Sequence, residues 1–127
     1  MQNYSSDSAP NVLLYAEDNV SERQILSHRL IDEGWTVIGV EDGDRTIAEV
    51  ERHRPPVIVL DIDLPGFDGW RALHYINSIP RYRPRVIALS AFGFLEYEAR
   101  RQGLACEAFF AKPINYQTLA DFVGYPL

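Results

Sequence analysis

The stretch Val57–Asp61 constrains the fold more than any other part of the sequence. Its first four residues, Val-Ile-Val-Leu, predict a strand buried on both faces, because a half-exposed strand would alternate apolar with polar residues. The run ends at Asp61, and Leu64-Pro65-Gly66 then supply the residues of a turn. We therefore expect the Asp61 carboxylate to lie at the edge of a buried sheet, where ligand-binding sites of such sheets are found.

Strand patterns and helix patterns alternate along the rest of the chain. Short apolar runs predict strands at 12–16, 35–40, 57–61, 85–90 and 107–111. Caps and apolar spacing predict helices at about 20–33, 69–78 and 94–102, a second helix that follows Asp42-Gly43 and ends before Pro55, and a brief last helix with Leu119, Phe122 and Val123 on its inner face. At the start of the first helix, Asn19 and Glu22 have the spacing of a capping box. The alternation predicts an α/β, three-layer doubly wound (flavodoxin-like) fold, with five helices and a five-stranded parallel sheet in the order 2-1-3-4-5.

The length of the chain fits one domain. With 127 residues a second core would be hard to build, so we expect a loose tail at 1–10 and a single domain at 11–127. No apolar run approaches the ~20 residues that span a bilayer, and the N-terminus lacks the features of a secretory signal. Cys106 is the single cysteine, which excludes an internal disulfide, and a net charge of −6 argues against nucleic-acid binding. These features favour a cytoplasmic protein.

Polar residues interrupt the apolar strands near their carboxyl ends. Five residues do so: Glu17, Asp18, Asp61, Ser90 and Lys112. Parallel strands end at one edge of a sheet, so we expect these side chains to lie close together. Three carboxylates there repel one another unless a cation joins them, and their oxygens suit Mg²⁺, with Mn²⁺ as an alternative ion. The histidines have no spacing that would make them ligands of this ion: His28, His53 and His74.

The same residues have the chemistry to receive a phosphoryl group. Mg²⁺ and Lys112 would neutralise two of its oxygens, and the Ser90 hydroxyl would donate a hydrogen bond to a third. Asp61 is then the nucleophile, because an aspartyl carboxylate that attacks phosphorus forms an acyl phosphate. The sequence thus predicts a phosphoacceptor at position 61.

From about Val12 to Phe122 the chain resembles the receiver domain of two-component response regulators. The acidic pair, the phosphoacceptor, the hydroxyl residue and the Lys-Pro dipeptide of that family correspond here to Glu17-Asp18, Asp61, Ser90 and Lys112-Pro113. Each motif alone is weakly diagnostic. Together, in this order and on these elements, they are highly specific.

The resemblance implies further roles for individual residues. The backbone carbonyl of Asp63 is expected to bind Mg²⁺, and the Lys112-Pro113 peptide bond is expected to be cis. Ser90 and Phe109 are expected to move inward together on phosphorylation, reshaping the face around the fourth helix, fifth strand and fifth helix. Phe109 stands where the family often has Tyr, so this switch lacks a hydroxyl. Asp63 adds an acid at a position that tends to tune hydrolysis of the phosphoryl group in such domains.

The resemblance also implies partners and leaves two alternatives open. Asp61 is expected to take its phosphoryl group from a histidine kinase or a histidine phosphotransfer protein, and the phosphorylated face to bind a downstream protein. No nucleic-acid partner, membrane partner or multiple-turnover enzyme activity is expected. The first alternative is a haloacid-dehalogenase-like phosphatase, because Asp61 and Asp63 match its D-x-D opening, although no later acidic pair follows Lys112. The second is an interaction module that keeps the fold but works without phosphorylation.

Overall fold

The computed structural model describes residues 10–126, so Leu127 and nearly all of the tail expected at 1–10 lie outside the described residues. The strands are β1 (Val12–Ala16), β2 (Thr36–Val40), β3 (Val57–Asp61), β4 (Arg85–Ser90) and β5 (Ala108–Ala111). The helices are α1 (Val20–Asp32), α2 (Gly43–His53), α3 (Asp68–Ser78), α4 (Leu95–Arg101) and α5 (Tyr116–Val123). A short 3₁₀ turn, Pro65–Phe67, precedes α3. The strands and helices alternate as the sequence predicts.

The five strands form one parallel sheet in the order β2-β1-β3-β4-β5, which confirms the predicted fold class. β3 lies at the centre, and every one of its residues is buried. This position explains its apolar run, because a central parallel strand is covered on both faces by helices. Register pairs Ala16 with Leu60 and Asp61 with Leu89, so β1, β3 and β4 end at the same edge.

Buried side chains form a core on each face of the sheet. On one face, residues of α1 and α5 pack against alternate strand residues, among them Leu26, Leu30 and Leu119. On the other face, residues of α2 and α3 pack against the remaining strand residues, and Leu95 of α4 joins them. Within residues 10–126, no helix is both long and apolar enough to cross a membrane.

The cap of α1 differs in one respect from the expected capping box. The Asn19 side chain accepts a hydrogen bond from the Glu22 N–H at 2.9 Å, as the spacing predicts. The Asn19 N–H, however, donates to Glu17 Oε2 at 3.1 Å, and the Glu22 carboxylate lies 3.6 Å from Lys112 Nζ. At the other end of α1, Gly34 adopts a φ of +105°, which favours glycine.

Phe122 is less buried than the apolar pattern of α5 predicts. Its side chain is 42% exposed, whereas Leu119 and Val123 are buried. Leu119 and Val123 are four residues apart and lie nearly above one another on the helix, so Phe122 falls at the flank of their stripe. There its ring makes an edge-on contact with Phe110, with ring centroids 5.4 Å apart.

Candidate functional site

Three carboxylates lie close together at the carboxyl edge of the sheet. Glu17 and Asp18 follow β1, and Asp61 is the last residue of β3. One carboxylate oxygen from each of the three lies within 4.8 Å of the others. Glu17 and Asp61 are buried, whereas Asp18 is exposed. The cluster is therefore exposed to solvent on the side of Asp18.

Lys112 neutralises part of this charge. Its Nζ lies 2.9 Å from Glu17 Oε1 and 2.9 Å from Asp61 Oδ2, so one ammonium group joins the ends of β1 and β3. The backbone places it there, because the Lys112 N–H donates to the Ser90 carbonyl at 2.9 Å just beyond the paired ends of β4 and β5. The following Lys112-Pro113 peptide bond is cis.

Burial makes the charged forms of the two carboxyl groups costly. It raises the pKa of Glu17 to about 7, although the hydrogen bond from Lys112 acts in the opposite direction. Burial also raises the pKa of Asp61, again against the effect of Lys112. Burial alone would lower the pKa of Lys112, but its hydrogen bonds to Asp61 and Glu17 outweigh that effect and raise it. One ammonium group thus leaves the cluster short of positive charge.

The donor atoms of the cluster fit a hard divalent cation. All three ligating groups are carboxylates, and among the described residues no histidine or cysteine belongs to the cluster. His74, for example, contacts Gln102 at 2.7 Å on a helix surface. Cys106 is half-buried in the apolar core, where burial raises the pKa of its thiol to about 12. The oxygen set favours Mg²⁺ over metals that prefer nitrogen or sulfur.

The side chain of Asp63 makes contacts that were not predicted. Ser90 Oγ lies 3.0 and 3.2 Å from the two carboxylate oxygens of Asp63 and donates its proton to them. The Ala91 N–H donates to Asp63 Oδ2 at 2.7 Å. The Asp63 N–H in turn donates to Asp61 Oδ1 at 2.8 Å. Ser90 therefore reaches the site through Asp63; the sequence analysis singled out the carbonyl and the added acid of Asp63 but not its contact with Ser90.

Phe109 lies on β5 opposite Ala88 of β4. Its ring is half-buried and packs against the core on the α2 and α3 side of the sheet. The structure thus brings Glu17, Asp18, Asp61 and Lys112 into one cluster, with Ser90 beside it, and places Phe109 in the neighbouring core. Phe109 is consistent with an ordinary packing role in this conformation.

The site thus combines three carboxylates and a lysine at the carboxyl edge of a five-stranded parallel sheet. Comparison with known protein families matches residues 13–123 to the response regulator receiver domain. The chain belongs to this family. The match confirms the resemblance seen in the sequence, and it favours the signalling reading over the phosphatase alternative.

Individual relatives agree with this assignment. The chain is 29% identical over 113 residues to the transcriptional regulatory protein PdtaR of Mycobacterium tuberculosis, covering 88% of this chain but only 54% of PdtaR. It is 29% identical over 121 residues to the polar-differentiation response regulator DivK of Brucella anthropi, covering 91% of this chain and 98% of DivK. The chain thus spans about half the length of one relative and nearly all of the other.

A solved structure shows the same fold with a metal ion bound. It is the receiver domain of the sensor histidine kinase PA1611 of Pseudomonas aeruginosa, with a magnesium ion coordinated in its active-site cleft. The TM-score is 0.75 at 28% identity, and the match covers 91% of this chain and 95% of that one. Receiver domains are phosphoryl-accepting modules of two-component signalling that bind Mg²⁺ at an acidic pocket and interact with histidine kinases or phosphotransfer proteins.

Proposed function

We propose that Asp61 accepts a phosphoryl group from a phosphohistidine on a histidine kinase or a histidine phosphotransfer protein. One observation carries the proposal: the Lys112 ammonium contacts both Glu17 and Asp61 within a cluster of three carboxylates. A structural ion pair would need one carboxylate for one lysine. The surplus of buried negative charge is costly in the resting state and useful only if a cation and a phosphoryl group enter the site.

The proposed metal ligands are Glu17, Asp18, Asp61 and the backbone carbonyl of Asp63. Mg²⁺ is the proposed ion and Mn²⁺ an alternative, since both accept oxygen ligands. When bound, the ion neutralises phosphoryl oxygens as negative charge develops on them. The raised pKa of Glu17 supports this proposal, because a cation would stabilise the charged form that burial disfavours.

In the proposed reaction a carboxylate oxygen of Asp61 attacks phosphorus. The new O–P bond forms as the P–N bond to the donor imidazole breaks, and the electron pair of that bond stays on the imidazole nitrogen. As the Asp61 carboxylate loses its negative charge, the Lys112 ammonium group would move toward a phosphoryl oxygen. Ser90 would donate its hydroxyl proton to a second oxygen.

We further propose that phosphorylation switches a protein-binding face made by α4, β5 and α5, through Ser90 and Phe109. α4 and α5 each carry an exposed aromatic side chain, Tyr97 and Phe122, that a protein partner could cover. The net charge of −6 supports a protein partner over nucleic acid. In this proposal residues 11–127 form the receiver domain, and the chain works in the cytoplasm without a membrane partner and without multiple turnover.

The test is intact-mass analysis after incubation with acetyl phosphate, with and without Mg²⁺. We expect a single, Mg²⁺-dependent phosphoryl addition to the wild type and none to Asp61→Asn. Asp32→Asn is the matched control, because it removes one carboxylate from the exposed far end of α1. Equal labelling of Asp61→Asn would contradict the proposal. Sustained turnover of a chromogenic phosphate ester would support the phosphatase, and partner binding unaffected by both donor and Asp61→Asn would support the interaction module.

A further inference from the structure

The Ser90 hydroxyl, which is proposed to donate to the phosphoryl group, is already occupied in this structure, and so is the neighbouring Ala91 N–H. The Ser90 hydroxyl and the Ala91 N–H both donate to the carboxylate of Asp63, at 2.7 to 3.2 Å. The Phe92 N–H donates to Ser90 Oγ at 2.9 Å, which directs the hydroxyl proton toward Asp63. Two donors that converge on one anion form a small anion site, and here the anion belongs to the chain itself.

The sequence position of Asp63 makes this contact possible. Asp63 follows Asp61 by two residues, so its side chain extends from the loop beyond β3 toward the loop beyond β4. The Ile62 N–H donates to the Leu89 carbonyl of β4 at 2.8 Å, which holds the start of the loop beyond β3 against the end of β4. A carboxylate oxygen and a phosphoryl oxygen are both anionic acceptors, so each can accept hydrogen bonds from Ser90 and Ala91.

We propose that the Asp63 carboxylate is an internal competitor, which must leave Ser90 and Ala91 before a phosphoryl group on Asp61 can use those donors. This inference rests on the proposed function. Ser90 is 3% exposed, so its hydroxyl has no ready exchange with bulk water and is held by whichever anion is present. A cavity of about 430 Å³ lined by both Asp63 and Ser90 gives the displaced carboxylate room to move.

The competition has two consequences for signalling. A mimic of the phosphoryl group binds with lower affinity than it would without Asp63, because it must first displace the Asp63 carboxylate from Ser90. For the same reason, the phosphorylated state gains less free energy from its contact with Ser90. Ser90 is also held by an anion before phosphorylation, so phosphorylation exchanges one acceptor for another at this residue. Asp63 therefore sets how strongly the phosphorylated state is favoured over the resting state.

The test is a titration with beryllofluoride, a mimic of the phosphoryl group on aspartate, in the presence of Mg²⁺. Binding is followed by tryptophan fluorescence, because Trp70 lines the same cavity as Asp63 and Ser90, whereas the second tryptophan, Trp35, contacts Gly124. Removing a competitor with charge-assisted hydrogen bonds is expected to tighten binding by roughly tenfold in Asp63→Ala. Asp63→Asn should bind with intermediate affinity, because its neutral carbonyl oxygen still accepts hydrogen bonds. Asp32→Asn, the distant control, should bind as the wild type does.

Asp63→Ala also removes a negative charge from the site, which could by itself strengthen binding of an anion. Measuring the same substitution in a Ser90→Ala background distinguishes this electrostatic effect from competition. If Asp63 competes for the Ser90 hydroxyl, Asp63→Ala improves binding less when that hydroxyl is absent. An equal gain in both backgrounds, or equal affinities of Asp63→Ala and the wild type, would overturn the inference alone. A wild type that neither binds beryllofluoride nor is labelled by acetyl phosphate would overturn the proposed function, and the inference with it.

Discussion

Gly69, in the first turn of α3, is the residue whose replacement should disturb the site most through packing alone. A Cβ built at Gly69 would lie 2.6 Å from the carbonyl oxygen of Asp61 and would also overlap the backbone of Ile62. Ordinary van der Waals contact begins at 3.4 Å, so Gly69→Ala must move α3 away from the Asp61 carbonyl by about 0.8 Å and away from the Ile62 backbone by more. The clashing atoms are backbone, which has little freedom to give way.

The cost follows from two opposing effects. Overpacking a well-filled site costs about 3 kcal/mol when backbone must shift, and alanine returns about 1 kcal/mol through its higher helix propensity. We therefore expect Gly69→Ala to lower the free energy of unfolding by about 2 kcal/mol, and the Tm by roughly 8 °C. The shift also moves the Asp61 carboxylate, so labelling by acetyl phosphate should slow by up to about a hundredfold.

The assay is urea unfolding followed by circular dichroism, with intact-mass labelling of the same samples. Gly93→Ala is the matched control, because no atom lies within 4 Å of a Cβ built at Gly93, which is exposed. That variant should be unchanged or more stable by less than about 1 kcal/mol. If Gly69→Ala unfolds at the same urea concentration as Gly93→Ala, the argument from close packing at Asp61 is wrong.

The remaining predictions concern the charges of the site. Lys112→Ala removes the cation shared by Glu17 and Asp61, so labelling by acetyl phosphate should slow by about a hundredfold in a mass-against-time assay. The raised pKa of Glu17 means that protonation of Glu17 stabilises the folded chain. Without metal, the free energy of unfolding of the wild type, measured relative to that of Glu17→Gln, should therefore fall by roughly 3 kcal/mol as the pH rises from about 4.5 to about 7. Mg²⁺ should raise the Tm more at high pH than at low pH, because protons compete for Glu17, and Asp18→Asn should remove most of that effect in a thermal melt.

Each of these predictions has a contradicting result. Wild-type labelling of Lys112→Ala would mean that the ammonium group serves only the resting structure. Parallel pH curves for the wild type and Glu17→Gln would show that Glu17 has the same pKa in the folded and unfolded chain. A Tm increase with Mg²⁺ that is independent of pH, or unchanged in Asp18→Asn, would place the ion outside the carboxylate cluster.

The sheet could be predicted from the sequence because its signals are strong and local. The apolar run at 57–60 predicts a strand buried on both faces, and Gly34 marks a helix end that needs a positive φ. The residues at the strand ends could be grouped as well, because topology alone brings the ends of β1, β3 and β4 to one edge. Such predictions depend on the spacing of apolar residues and on the order of strands and helices along the chain, both of which can be read from the sequence.

Side-chain partners beyond that edge could not be predicted in the same way. Whether the Asp63 side chain faces solvent or contacts Ser90 depends on the loop conformation and on the side-chain rotamer. Neither of these follows from a periodic pattern in the sequence. In the same way, the sequence did not show whether the Glu22 carboxylate contacts the Asn19 N–H or Lys112; in the structure it lies near Lys112. Phe122 lies at the flank of its stripe, where exposure depends on the neighbouring Phe110. The acid two residues past Asp61 was visible in the sequence, but its hydrogen bonds with Ser90 and Ala91 were not.

The central claim is that Asp61, among several neighbouring acids, carries the phosphoryl group. Sodium borohydride reduces an aspartyl phosphate to homoserine, so reductive trapping after treatment with acetyl phosphate and Mg²⁺ marks the acceptor permanently. Peptide sequencing by mass spectrometry then identifies the marked position. The account predicts homoserine at position 61. Homoserine at Asp63 or Asp18, with Asp61 unchanged, would contradict it.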